Sequence, residues 1–388
     1  MAESIRGITH LLEVASSRRF LTAVEPGDRG LAESLPFPFL AFVGEGEMKL
    51  ALLLAIINPA VGGVLLLGPR GTGKTTAVRS LAPLLPSVAR SLCPYGCLPE
   101  DIETGGMDAV CPDCARKYGL GEPLTFSDRM KLMELPLNSQ LPDVIGGLDE
   151  RAALHQRHRL RPGILAQADR NFLYVDEINL LADDITDAIL DAAAQGIYTV
   201  RRGAMAAFYR ARFVLVGSMN PEEGLLRPQI FDRFGLRVVV RGVTSIADRW
   251  EAYQRVRAYQ SNPRGVIEHY REETEIMHGE ILAAREKLPA VKLAAETAEL
   301  ALQVAERLGI ASHRATAALF EAARALAAAD NRDAVTAEDI RTLAPLALRM
   351  RRSAFLTDYF ARQGEEEQEL RRLMDEVLPA ASPPSPST

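Results

Sequence analysis

Gly68-Pro69-Arg70-Gly71-Thr72-Gly73-Lys74-Thr75 fits the pattern G-x-x-x-x-G-K-[ST], and it lies between an apolar run, Val64 to Leu67, and a helical stretch, Thr76 to Leu85. A strand before and a helix after are the context the pattern requires. Glycines let the backbone curl so that successive N–H groups converge on phosphate groups, and the helix that follows adds the positive end of its dipole. Lys74 is expected to bridge the β- and γ-phosphates of a nucleotide and the Thr75 hydroxyl to ligate magnesium. Gly68, Pro69, Arg70, Gly71, Thr72, Gly73 and Thr76 complete the expected cradle.

Outward from this loop, Phe172-Leu173-Tyr174-Val175-Asp176-Glu177 reads as an apolar strand ending in two acids. Asp176 suits the magnesium shell, and Glu177 suits a general base that deprotonates an attacking water. Neighbouring residues on an extended strand point to opposite faces, so the chain has to turn at these acids for both to serve one site. A third strand, Phe213 to Val216, runs into Gly217-Ser218-Met219-Asn220-Pro221. An Asn-Pro pair on its own starts turns. At the end of a strand beside the two acids, Asn220 is expected to hold the attacking water and to report whether the γ-phosphate is present.

With Val238 to Val240 as a fourth strand, the stretch from Phe37 to about Arg241 alternates short apolar runs with helical segments. That is the pattern of an α/β fold, a parallel sheet with helices on both faces and its site at the strand ends. Leu132 to Ala168 is too long for a simple connection and is expected to be an insertion with structure of its own. Beyond Val243 the strand signals stop. Ile246 to Arg352 reads as amphipathic helices, with Ala315, Leu319, Ala322 and Leu326 on one stripe, Thr336 as an N-cap that accepts from the Asp339 N–H, and a kink at Pro345. The division expected is an N-terminal extension over 1–36, a core over 37–243, an all-helical domain over 244–360, and a charged helix with a disordered Pro- and Ser-rich tail over 361–388.

A chain of 388 residues, 47% hydrophobic and 25% charged, can bury a full core. Its net charge of -6 lacks the electrostatic footprint of a dedicated nucleic-acid binder. Arg201, Arg202, Arg210 and Arg212 flank a hairpin turning near Gly203, read here as a solvated basic face. Leu50 to Leu67 has the length of a membrane span, but Asn58-Pro59 and Gly62-Gly63 break it into a helix, a turn and a strand. Charges at Arg6, Glu13, Arg18 and Arg19 interrupt the first 36 residues, so no secretory signal is expected and the location expected is cytoplasmic, or stromal if organellar.

All the cysteines fall in one short segment as Cys93-x3-Cys97 and Cys111-x2-Cys114. Two closely spaced pairs fit a structural zinc site. Redox-active thiols and inert cysteines stay open beside it. Stabilising disulfides are disfavoured in a cytosolic chain of this length.

The phosphate loop, Asp176-Glu177, Asn220 and Leu226-Arg227-Pro228-Gln229-Ile230-Phe231-Asp232-Arg233-Phe234-Gly235 follow each other in the order of AAA+ ATPases. From about Phe37 to Arg352 the chain resembles the ATPase (I) subunit of magnesium chelatase. The stretches that carry this are Val43-Gly44-Glu45-Gly46-Glu47-Met48-Lys49, Glu134-Leu135-Pro136-Leu137, Gly146-Gly147-Leu148-Asp149, Arg161-Pro162-Gly163-Ile164, Tyr174-Val175-Asp176-Glu177-Ile178-Asn179 and Gly217-Ser218-Met219-Asn220-Pro221-Glu222-Glu223-Gly224. Glu45-Gly46 departs from the family's Gln followed by an acid.

The resemblance implies an AAA+ P-loop core with a helical lid, assembled as a homo-oligomeric ring, a hexamer, that uses ATP and Mg2+. It makes Arg233 the arginine finger that reaches a neighbouring subunit's nucleotide, and Arg314, in Ser312-His313-Arg314, a second sensor touching phosphate. It also implies two partners, an integrin-domain AAA+-like chelatase subunit and a porphyrin-binding chelatase subunit, with the ATP cycle driving insertion of magnesium into protoporphyrin IX for (bacterio)chlorophyll biosynthesis. The competing readings are a MoxR-type remodelling chaperone or a cobalt chelatase component, and a nucleic-acid motor.

Overall fold

The computed structural model describes residues 35–148, 160–203, 205–224, 227–352, 366–374 and 376. Residues 1–34 of the expected extension and the tail from Ala380 lie outside the described residues. In chain order the strands are β1 (Val64–Leu67), β2 (Ser87–Ser91), β3 (Thr125–Arg129), β4 (Leu132–Leu135), β5 (Gly146–Leu148), β6 (Leu160–Pro162), β7 (Phe172–Val175), β8 (Ile197–Arg202), β9 (Met205–Arg210), β10 (Val214–Met219) and β11 (Leu236–Val239).

Five of them form the central sheet in the order β11-β1-β10-β7-β4, and every pair is parallel. β1 and β7 are buried along their whole length because both faces of the sheet are covered. Alternation along β1 divides the core: Val64 and Leu66 join one cluster with the helices Gly46–Ile57, Arg271–Lys287 and His313–Ala329, whereas Leu65 and Leu67 join another with Asp183–Gln195 and Phe234.

The four expected strands are present, β10 running on to Met219 and β11 beginning at Leu236. The fifth was not expected. Leu132 to Leu135, assigned to the insertion, is an edge strand paired with β7 in register Leu132↔Phe172. Its run Leu-Met-Glu-Leu carries an acid on a half-covered edge, and Glu134 holds the Arg79 guanidinium at 2.7 and 2.8 Å, so its pattern is not that of a buried strand. The helix after the phosphate loop is also shorter than expected. It spans Lys74–Arg79 and passes into a 3-10 turn, Ala82–Leu84, where Pro83 has no N–H to extend the ladder.

The C-terminal helices include Ile246–Ser261, Arg271–Lys287, Ala295–Arg307, His313–Ala329 and Ala337–Leu348. Ala315, Leu319, Ala322 and Leu326 are buried on one stripe. Thr336 caps the last helix, its hydroxyl accepting from the Asp339 N–H while Asp339 accepts from the Thr336 N–H at 2.7 Å. That helix continues through Pro345 to Leu348. Asn58 joins the two parts of the molecule by donating to the Glu321 carbonyl at 3.1 Å and to its carboxylate at 2.7 Å. Among the described residues, no helix is long and apolar enough to cross a membrane.

Candidate functional site

The order β1-β10-β7 sets three strand ends side by side, so the phosphate loop, Asp176-Glu177 and Ser218 to Asn220 surround one cavity. It measures about 300 Å³ and is lined by the loop from Arg70 to Thr76 with Asp176, Glu177, Ser218 and Asn220. Gly68 begins the loop where β1 runs against the end of β11. A Cβ there would stand 2.0 Å from the Val240 carbonyl oxygen.

Lys74 is buried, and its ammonium donates to the carbonyls of Gly68 at 2.7 Å and Pro69 at 2.8 Å. Burial lowers its pKa, while the charges of Asp176, Glu177 and Glu223 act in the opposite sense. Asp176 accepts from the Thr75 hydroxyl at 3.0 Å, from the Tyr174 hydroxyl at 2.8 Å and from Ser218. Burial alone would raise this carboxyl, but the hydrogen bonds from Ser218, Tyr174 and Thr75 hold it below its usual value. A carboxylate kept ionised beside a hydroxyl and a buried ammonium fits a magnesium–triphosphate complex, in which oxygen ligands are preferred.

Glu177 adopts the left-handed conformation, φ 47° and ψ 51°, and its N–H donates to Ser218 Oγ at 3.0 Å. This is the turn at the acids that the strand geometry demanded, and it lets both carboxylates line the cavity. Arg70 spans the mouth, 3.5 Å from Glu177 and paired with Glu223. Asn220 is buried; its side-chain oxygen accepts from the Glu222 N–H at 3.3 Å and its amide donates to Glu223 at 3.2 Å. Sequence reasoning missed Tyr174, Ser218 and Glu223 as members of this network. The available signal was a hydroxyl inside each of two fully buried strands, β7 and β10, where a polar group needs a partner.

The lead-in segment packs on the same loop. A Cβ on Gly73 would meet the Phe42 ring at 2.9 Å, and one on Gly242, just past β11, would meet Thr72 at 3.4 Å.

Arg233 and Arg314 lie elsewhere. Arg233 ends the short helix that leads into the amino end of β11, where it donates to the Leu190 carbonyl at 3.1 Å and pairs with Asp191 at 3.0 Å. Arg314 stands 3.9 Å from Asp232, in the first turn of the helix His313–Ala329, and the Ser312 hydroxyl just before that helix donates to the same carboxylate at 2.8 Å. The phosphate loop leaves the carboxyl end of β1, so these two arginines sit at the opposite edge of the sheet, and the described cavity lining includes neither. Arg314, expected as a phosphate contact, thus lies beside Asp232 and away from the cavity of its own chain.

The four cysteines come together, their sulfurs all within 4.8 Å of one another. Each is a free thiol, with Cys97 and Cys114 buried. The hairpin expected at Gly203 is β8–β9, but its basic residues are not all a solvated face. Arg210 donates to the Ala109 carbonyl at 3.0 Å, and Arg212 engages Asp169, Asp101 and the Gly96 carbonyl, so both hold the cysteine segment instead of facing solvent. The short gap between the pairs in sequence gave no hint of these partners.

Comparison with known proteins adds to this geometry. The family model for magnesium chelatase, subunit ChlI, matches residues 149–225, and the AAA lid domain model matches residues 298–373. The magnesium-chelatase subunit ChlI homolog of Methanocaldococcus jannaschii is 43% identical over 323 residues, covering 82% of this chain and 87% of that protein. The magnesium-chelatase 38 kDa subunit of Acidiphilium rubrum is 41% identical over 317 residues, covering 81% and 90%. Among solved structures, the chain is similar to one described as a model of the complex between subunits BchI and BchD of magnesium chelatase, at 39% identity, 82% and 97% coverage and a TM-score of 0.45.

Proposed function

The chain belongs to the magnesium-chelatase ChlI family of AAA+ proteins, and from that premise we propose that it is the ATP-hydrolysing motor subunit of a magnesium chelatase. The observation that carries the reading is the meeting of Lys74, the Thr75–Asp176 pair, Glu177 and Asn220 around one cavity, with Arg233 turned toward the opposite edge of the sheet. Lys74 holds the β- and γ-phosphates against the backbone amides of the loop. Thr75 and Asp176 hold Mg2+, which supplies charge neutralisation at the phosphates. Glu177 takes the proton of the attacking water, and Asn220 orients that water.

Arg233 cannot complete its own site from the amino end of β11, so it acts on the nucleotide of a neighbouring copy, and Arg314, beside Asp232, acts from the same edge. A guanidinium delivered in this way contributes ~10³ to 10⁵ in rate. This requires an adjoining copy, and family membership supports a ring, a hexamer, built from the core over 37–243 and the lid over 244–360. Family membership supports the remaining assignments: an integrin-domain AAA+-like subunit and a porphyrin-binding subunit as partners, magnesium insertion into protoporphyrin IX as the work, and the cytoplasm, or a stroma, as the location.

Metal insertion followed by absorbance, with partner subunits, ATP, magnesium and protoporphyrin IX, tests the reading. Insertion that stops when this chain is left out is expected. ATP hydrolysis without insertion alongside partners proven active with another I subunit would leave a remodelling ATPase of the MoxR type or a cobalt chelatase component.

A further inference from the structure

Cys93, Cys97, Cys111 and Cys114 take no part in the nucleotide chemistry, yet their sulfurs lie within 4.8 Å of one another. We propose that they bind one zinc ion as a closed tetrathiolate site that folds the segment between β2 and β3 into the shape in which it meets Arg210 and Arg212 beside the β8–β9 hairpin.

The spacings x3 and x2 fall in the range by which zinc knuckles present paired thiolates. A Zn–S bond of ~2.3 Å sets the sulfur–sulfur edges of a tetrahedron at about 3.8 Å, so the observed cluster closes onto the ion with shifts of about 1 Å or less. Four sulfurs gathered at one point are not what a pair of disulfides would leave. Donors already face the sulfurs: the Cys97 N–H reaches Cys93 Sγ at 3.4 Å, the Cys111 N–H reaches Cys97 Sγ at 3.3 Å, and the Ser91 hydroxyl reaches Cys93 Sγ at 3.5 Å. Outer donors of this kind stabilise thiolate charge on a metal-bound sulfur.

Ligand chemistry selects the metal. Thiolates suit zinc, whereas magnesium demands oxygen ligands, so this cluster is not a reservoir for a magnesium cargo. Four protein ligands leave no open position for a substrate, which makes the ion structural. Binding expels the thiol protons to solvent.

The segment also needs such a staple. Its small core holds Ile102 and Leu124 with Cys97 and Cys114 as the buried members among the described residues, and a core that small does not order a chain unaided. What it supports is adjacent: the Tyr95 carbonyl accepts from the Arg210 N–H at 3.0 Å, and the Gly96 carbonyl accepts from the Arg212 guanidinium at 2.7 Å. Arg212 leads into β10, the strand that carries Ser218 and runs on to Asn220.

Full-length protein purified without chelator from zinc-supplied cells is expected to carry one zinc per chain by plasma mass spectrometry, released as an organomercurial titrates the thiols. Cobalt(II) exchanged into the wild-type chain is expected to give a thiolate charge-transfer band and the intense d–d bands of tetrahedral coordination. Cys111→Ser is expected to lose stoichiometric zinc and, in hydrogen exchange, protection over the segment between β2 and β3; the cobalt spectrum keeps the test open if that variant does not fold. Folded, nucleotide-binding protein with four freely titrating thiols and no bound metal overturns the proposal, as does a disulfide by mass spectrometry or stoichiometric iron in place of zinc.

Discussion

The Thr75 hydroxyl donates to the Asp176 carboxylate at 3.0 Å and so ties the first turn of the helix after the phosphate loop to the end of β7. Hydrogen bonds from Ser218, Tyr174 and Thr75 overcome the burial that would otherwise raise this carboxyl, and its folded pKa lies below the unfolded value of about 3.9. The unfolded chain then binds more protons, so the stabilisation is complete above about pH 3.9 and is lost as pH falls through the folded pKa. Asp176→Asn is expected to flatten the acid limb of the melting temperature and to lower magnesium-dependent kcat on the order of 10³-fold, the equivalent of several kcal/mol of metal assistance. Identical acid limbs in variant and wild type would show that the network does not hold the carboxylate down.

Glu177 occupies the left-handed region while its side chain meets Arg70 at 3.5 Å. Glu177→Gln keeps the shape and loses the base. A fall in kcat on the order of 10² to 10⁴ is expected, with nucleotide affinity by calorimetry retained. Lys74→Ala, which removes the buried ammonium, is expected to lose binding itself. Turnover by Glu177→Gln at the wild-type rate would assign the base elsewhere.

Arg233 is held by Asp191 and the Leu190 carbonyl at the far edge of the sheet. If it serves the neighbouring copy, Arg233→Ala retains an intact cavity of its own and Glu177→Gln retains an intact arginine. Each variant alone is expected to lose ~10³-fold or more. An equimolar mixture is expected to recover part of the ATPase rate at ring-forming concentrations, because some Arg233→Ala sites then meet an arginine from Glu177→Gln. No recovery in mixed rings confirmed by mass, or full activity of Arg233→Ala alone, rules out the assignment in trans.

How much of this was legible in the sequence follows from what each residue answers to. The phosphate loop, the acids and Asn220 are local patterns bounded by strands, and the buried strands β1, β7 and β10 declare themselves by short, mainly apolar runs. β4 hid because an edge strand needs only one covered face, and Glu134 in its middle answers to Arg79 from another element. Glu223 joined the site only through folding, since its partner Arg70 lies far back in the chain. Arg210 and Arg212 looked like a free basic face because their acceptors are carbonyls and carboxylates of the cysteine segment, a relationship no spacing encodes.

Two loop glycines separate a steric requirement from a conformational one. Gly68 lacks a positive φ, but a Cβ on it would stand 2.0 Å from the Val240 oxygen, and backbone cannot yield there as a side chain would. Gly71 has φ +77° with nothing within 4 Å of its Cβ position. Gly71→Ala is expected to lose about 1–2 kcal/mol by denaturant unfolding, the cost of a left-handed alanine. Gly68→Ala is expected to lose at least that, about 1–3 kcal/mol for overpacking, and to weaken nucleotide binding as β1 and β11 separate. A Gly68→Ala protein as stable as wild type would show that the two strand ends can part freely.

Lys49 offers a test in the alkaline range. Its side chain is buried in the helix Gly46–Ile57, donates to the Phe42 carbonyl at 2.6 Å, and has its pKa lowered to about 8 by burial and then by the Arg255 charge, with Glu45 opposing. Between about 8 and the unfolded value of about 10.4 the unfolded chain keeps a proton that the folded chain has released. Unfolding therefore takes up a proton in that window, and stability from this group rises with pH across it and is level below. Lys49→Met keeps much of the buried stem and removes the titration. Melting temperatures of the variant relative to wild type are expected to change little with pH below about 8, and the difference is expected to move in favour of wild type as pH climbs toward about 10.4. Parallel profiles through that interval would mean that the Phe42 carbonyl and Glu45 hold the ammonium charged despite its burial beside Arg255.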